Sequence, residues 1–221
     1  MHYHWDFAFL QRYIPLLWKG TLVTLAYTAG TILLGLLIGL LLGLARLSRS
    51  RLLNIPLVAL IEAFRCTPLL VQIVWFYYAL PVLLHIQIPA VAAATMTLSL
   101  YTGVFYAEIF RGGIVSIERG QWDAARALGL GRWAMMRHVI LPQAVRRMVP
   151  PFMNQSITQL KNTSLVSTIA VPDLLYQGTL ITADTYRPLE VYTVVALIYF
   201  ALLFPATRLV QAYEARLARA R

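Results

Sequence analysis

Long apolar blocks separated by short polar ones organise this chain. Thr21 to Ala45 is the clearest block, 25 residues without a charge. At about 1.5 Å per residue it makes about 37 Å of helix, against a hydrocarbon core of about 30 Å. A second block, Ile55 to Leu84, is interrupted by Glu62, Arg65 and Pro68 and reads as a short amphipathic lead-in followed by a span. His85 to Pro89 makes a tight turn, Ala90 to Phe110 reads as a third span with Glu108 near its end, and Leu189 to Val210 as a clean last one.

Between them, hydropathy is ambiguous over Val149 to Val171, where Asn154, Gln155, Thr158, Gln159, Lys161 and Asn162 break the apolar run. At about 100° per residue these six fall within an arc of roughly 160°, with Ile157 and Leu160 outside it. The pattern predicts a span with one wet face. Arg111 to Arg147 is too polar to cross but rich in helix formers, Ala124 to Leu128 among them, and reads as a helical loop. The expected fold is all-α: one membrane domain over residues 1–221 with spans at about 21–45, 55–84, 90–110, 149–171 and 189–210, and a loop at 111–147.

Composition agrees. Hydrophobic residues make up 59% of the chain and charged ones 13%, with a mean hydropathy of +0.67. Soluble domains average about 45–50% apolar and about 25% charged residues. The first twenty residues include His2, His4, Asp6, Arg12 and Lys19, which is unlike a cleavable signal peptide, so insertion is expected to rely on the first span. With one cysteine, Cys66, no disulfide forms within the chain.

The net charge of +10 would suggest nucleic acid if it lay on a soluble face, so its distribution decides. Five spans put the termini on opposite sides. With the tail inside, Arg46, Arg49 and Arg51, the seven arginines of 111–147, and Arg208, Arg216, Arg219 and Arg221 make fourteen cytoplasmic basic residues. Arg12, Lys19 and Arg187 are the three outside, while Arg65 and Lys161 lie in spans. That bias predicts an outside N-terminus and an inside C-terminus, and it accounts for the charge without nucleic acid.

Within the long loop, Gly120 to Gly131 is a short helix of small side chains ended by Gly129 and Gly131, which suit a left-handed cap and a sharp turn. Ala124, Ala125 and Ala127 would let another surface approach closely. Spacing alone leaves open a plain connector lying at the membrane face. Glu62 and Arg65, three apart, read as a structural ion pair in preference to a substrate contact. Gly35, Gly39 and Gly43 make a smooth ridge for helix packing. For the wet face of 149–171 a substrate pathway is preferred to an internal hydrogen-bond network. There is no Gly-Lys-Ser/Thr phosphate loop, and His2, His4, His85 and His138 are scattered, so neither an ATPase site nor a metal site is expected.

Asp123-Ala124-Ala125, Gly129, Val139 and Leu141-Pro142 resemble, without a gap, the EAA loop of bacterial ABC importer permeases, with Asp for Glu and Val for Ile as conservative departures. Glu62 to Gln72, Tyr106 to Gly112 and Lys161 to Leu165 are similar to signatures of the polar amino acid branch of that family. The resemblance implies a permease subunit of an inner-membrane importer in which Gln121, Asp123, Ala124, Ala125, Leu128, Gly129, Leu141 and Pro142 couple to the ATPase. It implies ATP and magnesium held by two separate ATPase subunits, a second permease subunit, identical or paralogous, and a periplasmic solute-binding protein. It also places the amino acid pathway along Asn154, Gln155, Thr158, Lys161 and Asn162. Many relatives carry an acid after the Asn, where this chain has Gln155. An ion-driven secondary transporter would need inverted repeats and more spans; a non-transporting receptor or assembly factor is the other rival.

Overall fold

The structure, a computed structural model, describes residues 3–48 and 50–219, without the side chains of Ala218 and Arg219. Arg49 and Arg221, and His2, lie outside the described residues. Eight helices and no strand make up the described fold: α1 (Ile14–Arg46), α2 (Arg51–Arg65), α3 (Leu69–Leu84), α4 (Ala90–Val115), α5 (Arg119–Ala127), α6 (132–162), α7 (Leu174–Thr185) and α8 (Pro188–Arg219). A 3-10 turn, Ala8–Tyr13, leads into α1, and another, Thr163–Ile169, follows α6. The expected all-α bundle is observed.

Three stretches are long and apolar enough to cross a bilayer: Ala8–Arg46, α4 and α8. The predicted second span is a broken one, because α2 and α3 meet at 105°. Pro68 forces the residue before it out of the helical region, and buried Gln72 closes the break. Its side-chain amide donates to the carbonyls of Phe64 (2.8 Å) and Thr67 (3.1 Å) and to the Thr67 hydroxyl (2.7 Å). No helix begins near residue 149, where the predicted fourth span starts. That span is the second half of α6, which starts at Arg132 and runs on through a π-helical turn at Met136–Ile140 to Asn162. Its polar face keeps it out of the apolar class, yet it packs along α4, α8 and α1. The expected loop 111–147 is therefore shorter. Helix α4 continues to Val115, α5 follows a turn, and the remainder belongs to α6.

Helices α1 and α4 form the most extensive contact of the bundle. At Gly35, Gly39 and Gly43 a Cβ would stand 2.8, 2.5 and 2.9 Å from side-chain carbons of Thr102, Tyr106 and Phe110. The small-residue ridge is thus the face that lets the two backbones close, as van der Waals packing between helices in a bilayer requires. Thr21, Thr28 and Thr31 return their hydroxyls to carbonyls four residues back, at 2.7–2.8 Å, so these three hydroxyls are satisfied inside the helix.

Hydropathy gives no sign of helix α7. It begins at Asp173, whose carboxylate accepts the Tyr176 backbone N–H at 2.9 Å as an N-cap. Burial pushes the Asp173 carboxyl up to about 6. The helix packs on α1 and α8 at the end of the bundle opposite α5. There the N-terminal segment is tied down by bonds from Tyr3 to Glu190 and from Tyr13 to Asp184.

Candidate functional site

Two regions gather the residues singled out from the sequence. The first is α5 and the turn after it. A Schellman ending closes the helix: the Gly129 N–H donates to Arg126 (2.9 Å) and the Leu130 N–H to Ala125 (3.1 Å), with Gly129 at φ +72°. Only glycine takes that backbone without cost, so the sequence places this turn. Gln121, Asp123, Ala124 and Gly129 are exposed, and Leu128 presents 79% of its surface. Ala125 departs from the expected contact face. It is buried with Ile117, Met135 and Ile140, one helical step round from Ala124, and seats α5 on its own chain. Leu141 and Pro142 lie on the exposed side of α6 just past its π turn, where Gln143 donates to Gln121 at 3.1 Å.

The second region is a cavity of about 710 Å³ between the ends of α2, α4, α6 and α8. Asn154, Gln155 and Thr158 line it, with Arg65, Phe105, Glu108, Arg146 and Arg147. Two prolines shape the wall: Pro150 and Pro151 have no N–H, which leaves the carbonyls of Arg146 and Arg147 without helical donors. Asn154 donates to Glu214 of α8 at 3.2 Å, and the Thr158 hydroxyl to the Asn154 carbonyl at 3.1 Å. The side-chain N–H group of Gln155 is buried without a partner, a state that buried polar groups seldom keep.

Charge in the cavity is lopsided. Glu108 is the one carboxylate in its lining, and it is engaged by Arg111 at 2.8 and 3.0 Å and by Arg46 at 3.6 Å. Arg147 reaches Glu118 at 3.9 Å and the Ser116 carbonyl, whereas Arg146 has no acidic partner among the described residues. The cavity therefore presents a surplus of donors and positive charge.

Other predicted positions fall elsewhere. Lys161 and Asn162 sit past Thr158, close to the end of α6, and do not line this cavity. Gln159, part of the polar arc, is buried and donates to Thr31 of α1 at 2.9 Å, so it joins helices. Glu62 and Arg65 pair at 2.8 Å, yet Arg65 also faces the cavity. Arg65, Arg146 and Glu108 as cavity residues were not legible from hydropathy, because two of them come from helices that meet α6 only in three dimensions. The signal available was an ionisable residue at membrane depth.

Comparison with known proteins gives the same picture. The family described as "Binding-protein-dependent transport system inner membrane component" matches residues 32–219. The glutamine transport system permease protein GlnP of Escherichia coli K12 is 38% identical over 213 residues, 96% of this chain and 97% of that protein. The probable glutamine ABC transporter permease protein GlnP of Bacillus subtilis 168 is 35% identical, covering 95% of this chain and 97% of its own length. A crystal structure of an amino acid ABC transporter with histidines superposes at a TM-score of 0.91, with 34% identity over 97% of this chain and all of that one. The methionine transporter MetNI, at 23% identity and a TM-score of 0.67, shares the fold. With a family match over most of its length and relatives along nearly all of it, the chain belongs to the binding-protein-dependent transport system inner membrane components and is a membrane-spanning permease subunit of an amino acid ABC importer.

Proposed function

We propose that the cavity bounded by α2, α4, α6 and α8 is the chain's share of the translocation pathway and that it carries a neutral polar amino acid, glutamine being the first candidate. The observation that carries this is the donor surplus around Asn154, Gln155 and Thr158, with the one lining carboxylate, Glu108, already held by two arginines. Guanidiniums and amide N–H groups suit a substrate carboxylate and a side-chain carbonyl, and the carbonyls freed by Pro150 and Pro151 can accept an ammonium. No unpaired carboxylate is in the lining for a cationic side chain, and Glu214, bonded to Asn154, lies outside it. Relatives named for glutamine transport point to the same substrate. Gln155→Glu should therefore shift uptake towards Arg and Lys, through charge pairing in a cavity of low dielectric. Competition of labelled uptake in vesicles with saturating binding protein measures this. Unchanged selectivity in the variant, or a wild type that carries only Arg or Lys, would remove the cavity's role in charge preference.

In this proposal the exposed face of α5, with Gln121, Asp123, Ala124, Leu128, Gly129, Leu141 and Pro142, receives a separate ATPase subunit that binds ATP and magnesium. A second permease subunit completes the pathway, and a solute-binding protein delivers substrate at the opposite end. Basic residues at the α5 end support a cytoplasmic α5 and an outside N-terminus. A cysteine at Trp133, which is 76% exposed, in a background lacking Cys66, should resist an impermeant thiol reagent added to intact spheroplasts. Ready labelling there would reverse the orientation.

A further inference from the structure

We infer that Arg65 is the substrate's carboxylate-binding residue and that Glu62 is its exchangeable internal surrogate, holding the guanidinium when no substrate is present. This rests on the cavity being the amino acid pathway. Arg65 is the last residue of α2, at the point where the chain turns by 105° into α3. The three hydrogen bonds of Gln72 fix that corner, so the origin of the Arg65 side chain is set. Arg65 lines the cavity and Glu62 does not.

The pair has the properties that exchange needs. Its side chains are 39% and 47% exposed, and one contact, at 2.8 Å, joins them. Such exposed pairs are worth about 0–1 kcal/mol, so a ligand carboxylate competes with Glu62 on nearly equal terms. Glu108 is different: it is 19% exposed and meets nitrogens of two arginines, and neither Arg46 nor Arg111 lines the cavity. Arg147 is committed to Glu118 and the Ser116 carbonyl. Arg146 also lines the cavity, nine residues before Gln155 on α6 and about 13 Å from it along the helix. Arg65, Arg146 and the partnerless Gln155 N–H group are then the donors left for a carboxylate in the cavity, and of the two guanidiniums Arg65 is the one with an acidic partner, Glu62, to exchange. Exchange also keeps the guanidinium paired at every stage, and the carboxylate it releases, Glu62, is the more exposed member of the pair.

The test is equilibrium binding of labelled L-glutamine to the purified permease–ATPase complex without binding protein, beside L-glutamine amide, in which a neutral amide replaces the α-carboxylate. Wild type should bind the free acid at least about tenfold more tightly than the amide, the scale of a charge-assisted hydrogen bond. Arg65→Gln should abolish that ratio and leave amide binding where it was, and Arg65→Lys should restore part of it. Glu62→Gln should tighten acid binding by about two- to fivefold, the value of the exposed pair it removes, with no effect on the amide. A wild-type ratio in Arg65→Gln overturns the inference. So does a parallel loss of both ligands in Arg65→Gln and Glu62→Gln that the double variant repairs, since that marks a purely structural pair. Thr158→Trp, which fills the cavity, separates the two levels. If glutamine still binds to it, or if wild type binds neither ligand, the pathway assignment itself fails. If filling abolishes binding while the ratio ignores Arg65, the pathway stands and the carboxylate role falls.

Discussion

Gly39→Leu should abolish accumulation of folded permease. A Cβ alone at this position would lie 2.5 Å from the Tyr106 Cβ, 2.9 Å from the Gly103 carbonyl oxygen and 3.1 Å from the Ala107 nitrogen. Two of those three atoms are backbone, so no rotamer change relieves the contact. Overpacking costs about 1–3 kcal/mol where side chains can adjust, and more where they cannot. Here the whole α1–α4 interface must open, and with it the ridge that places Tyr106 against Ser156 of α6 at 2.7 Å. Gly30→Ala is the control, because nothing lies within 4 Å of its Cβ; it should match or slightly exceed wild-type stability, alanine being better than glycine in a helix by about 1 kcal/mol. Membrane-inserted yield and monodispersity in detergent measure both. Gly39→Leu behaving as wild type would mean that α1 and α4 do not meet this way.

The second large effect is at Gly129. Its φ of +72° is combined with open space around the Cβ, so substitution strains the turn without a clash and leaves the bundle alone. A left-handed backbone costs a residue with a Cβ about 1–2 kcal/mol, equivalent to a roughly five- to thirtyfold loss of the correctly turned population. Gly129→Val should lower ATP-driven uptake by about five- to thirtyfold at unchanged insertion, while Gly129→Asn, which tolerates this backbone better, keeps more activity. Equal uptake by glycine, asparagine and valine variants would show that the turn does not transmit coupling. The exposed Leu128 and Ala124 on the same helix leave room for a partner surface there.

Sequence made some parts of this molecule legible and not others, for physical reasons. Helices α1, α4 and α8 stand out because an uncharged run long enough to span a bilayer has few other uses. The Gly129 turn stands out because glycine is the residue that takes a positive φ without cost. The α2–α3 corner is half visible: Pro68 signals a break, but its 105° angle depends on Gln72 reaching back to Phe64 and Thr67. The start of helix α6 is hidden because its first half is amphipathic and borders a true turn at Gly131, so hydropathy does not separate loop from helix. Periodicity finds the polar face of α6 but does not divide it, since Gln159 turns into the bundle towards Thr31 while Gln155 faces the cavity. Arg65 illustrates the same limit. Spacing joins it to Glu62, and only the fold brings it to the same cavity as Gln155.

Proteoliposomes holding the chain with its ATPase subunit provide the most direct test of the central claim, that this is a permease driven by a separate ATPase. Labelled L-glutamine uptake should require ATP and the solute-binding protein and should stop when the ATPase is inactivated, with no response to an imposed sodium or proton gradient. Uptake that persists without ATP and follows an ion gradient would contradict it.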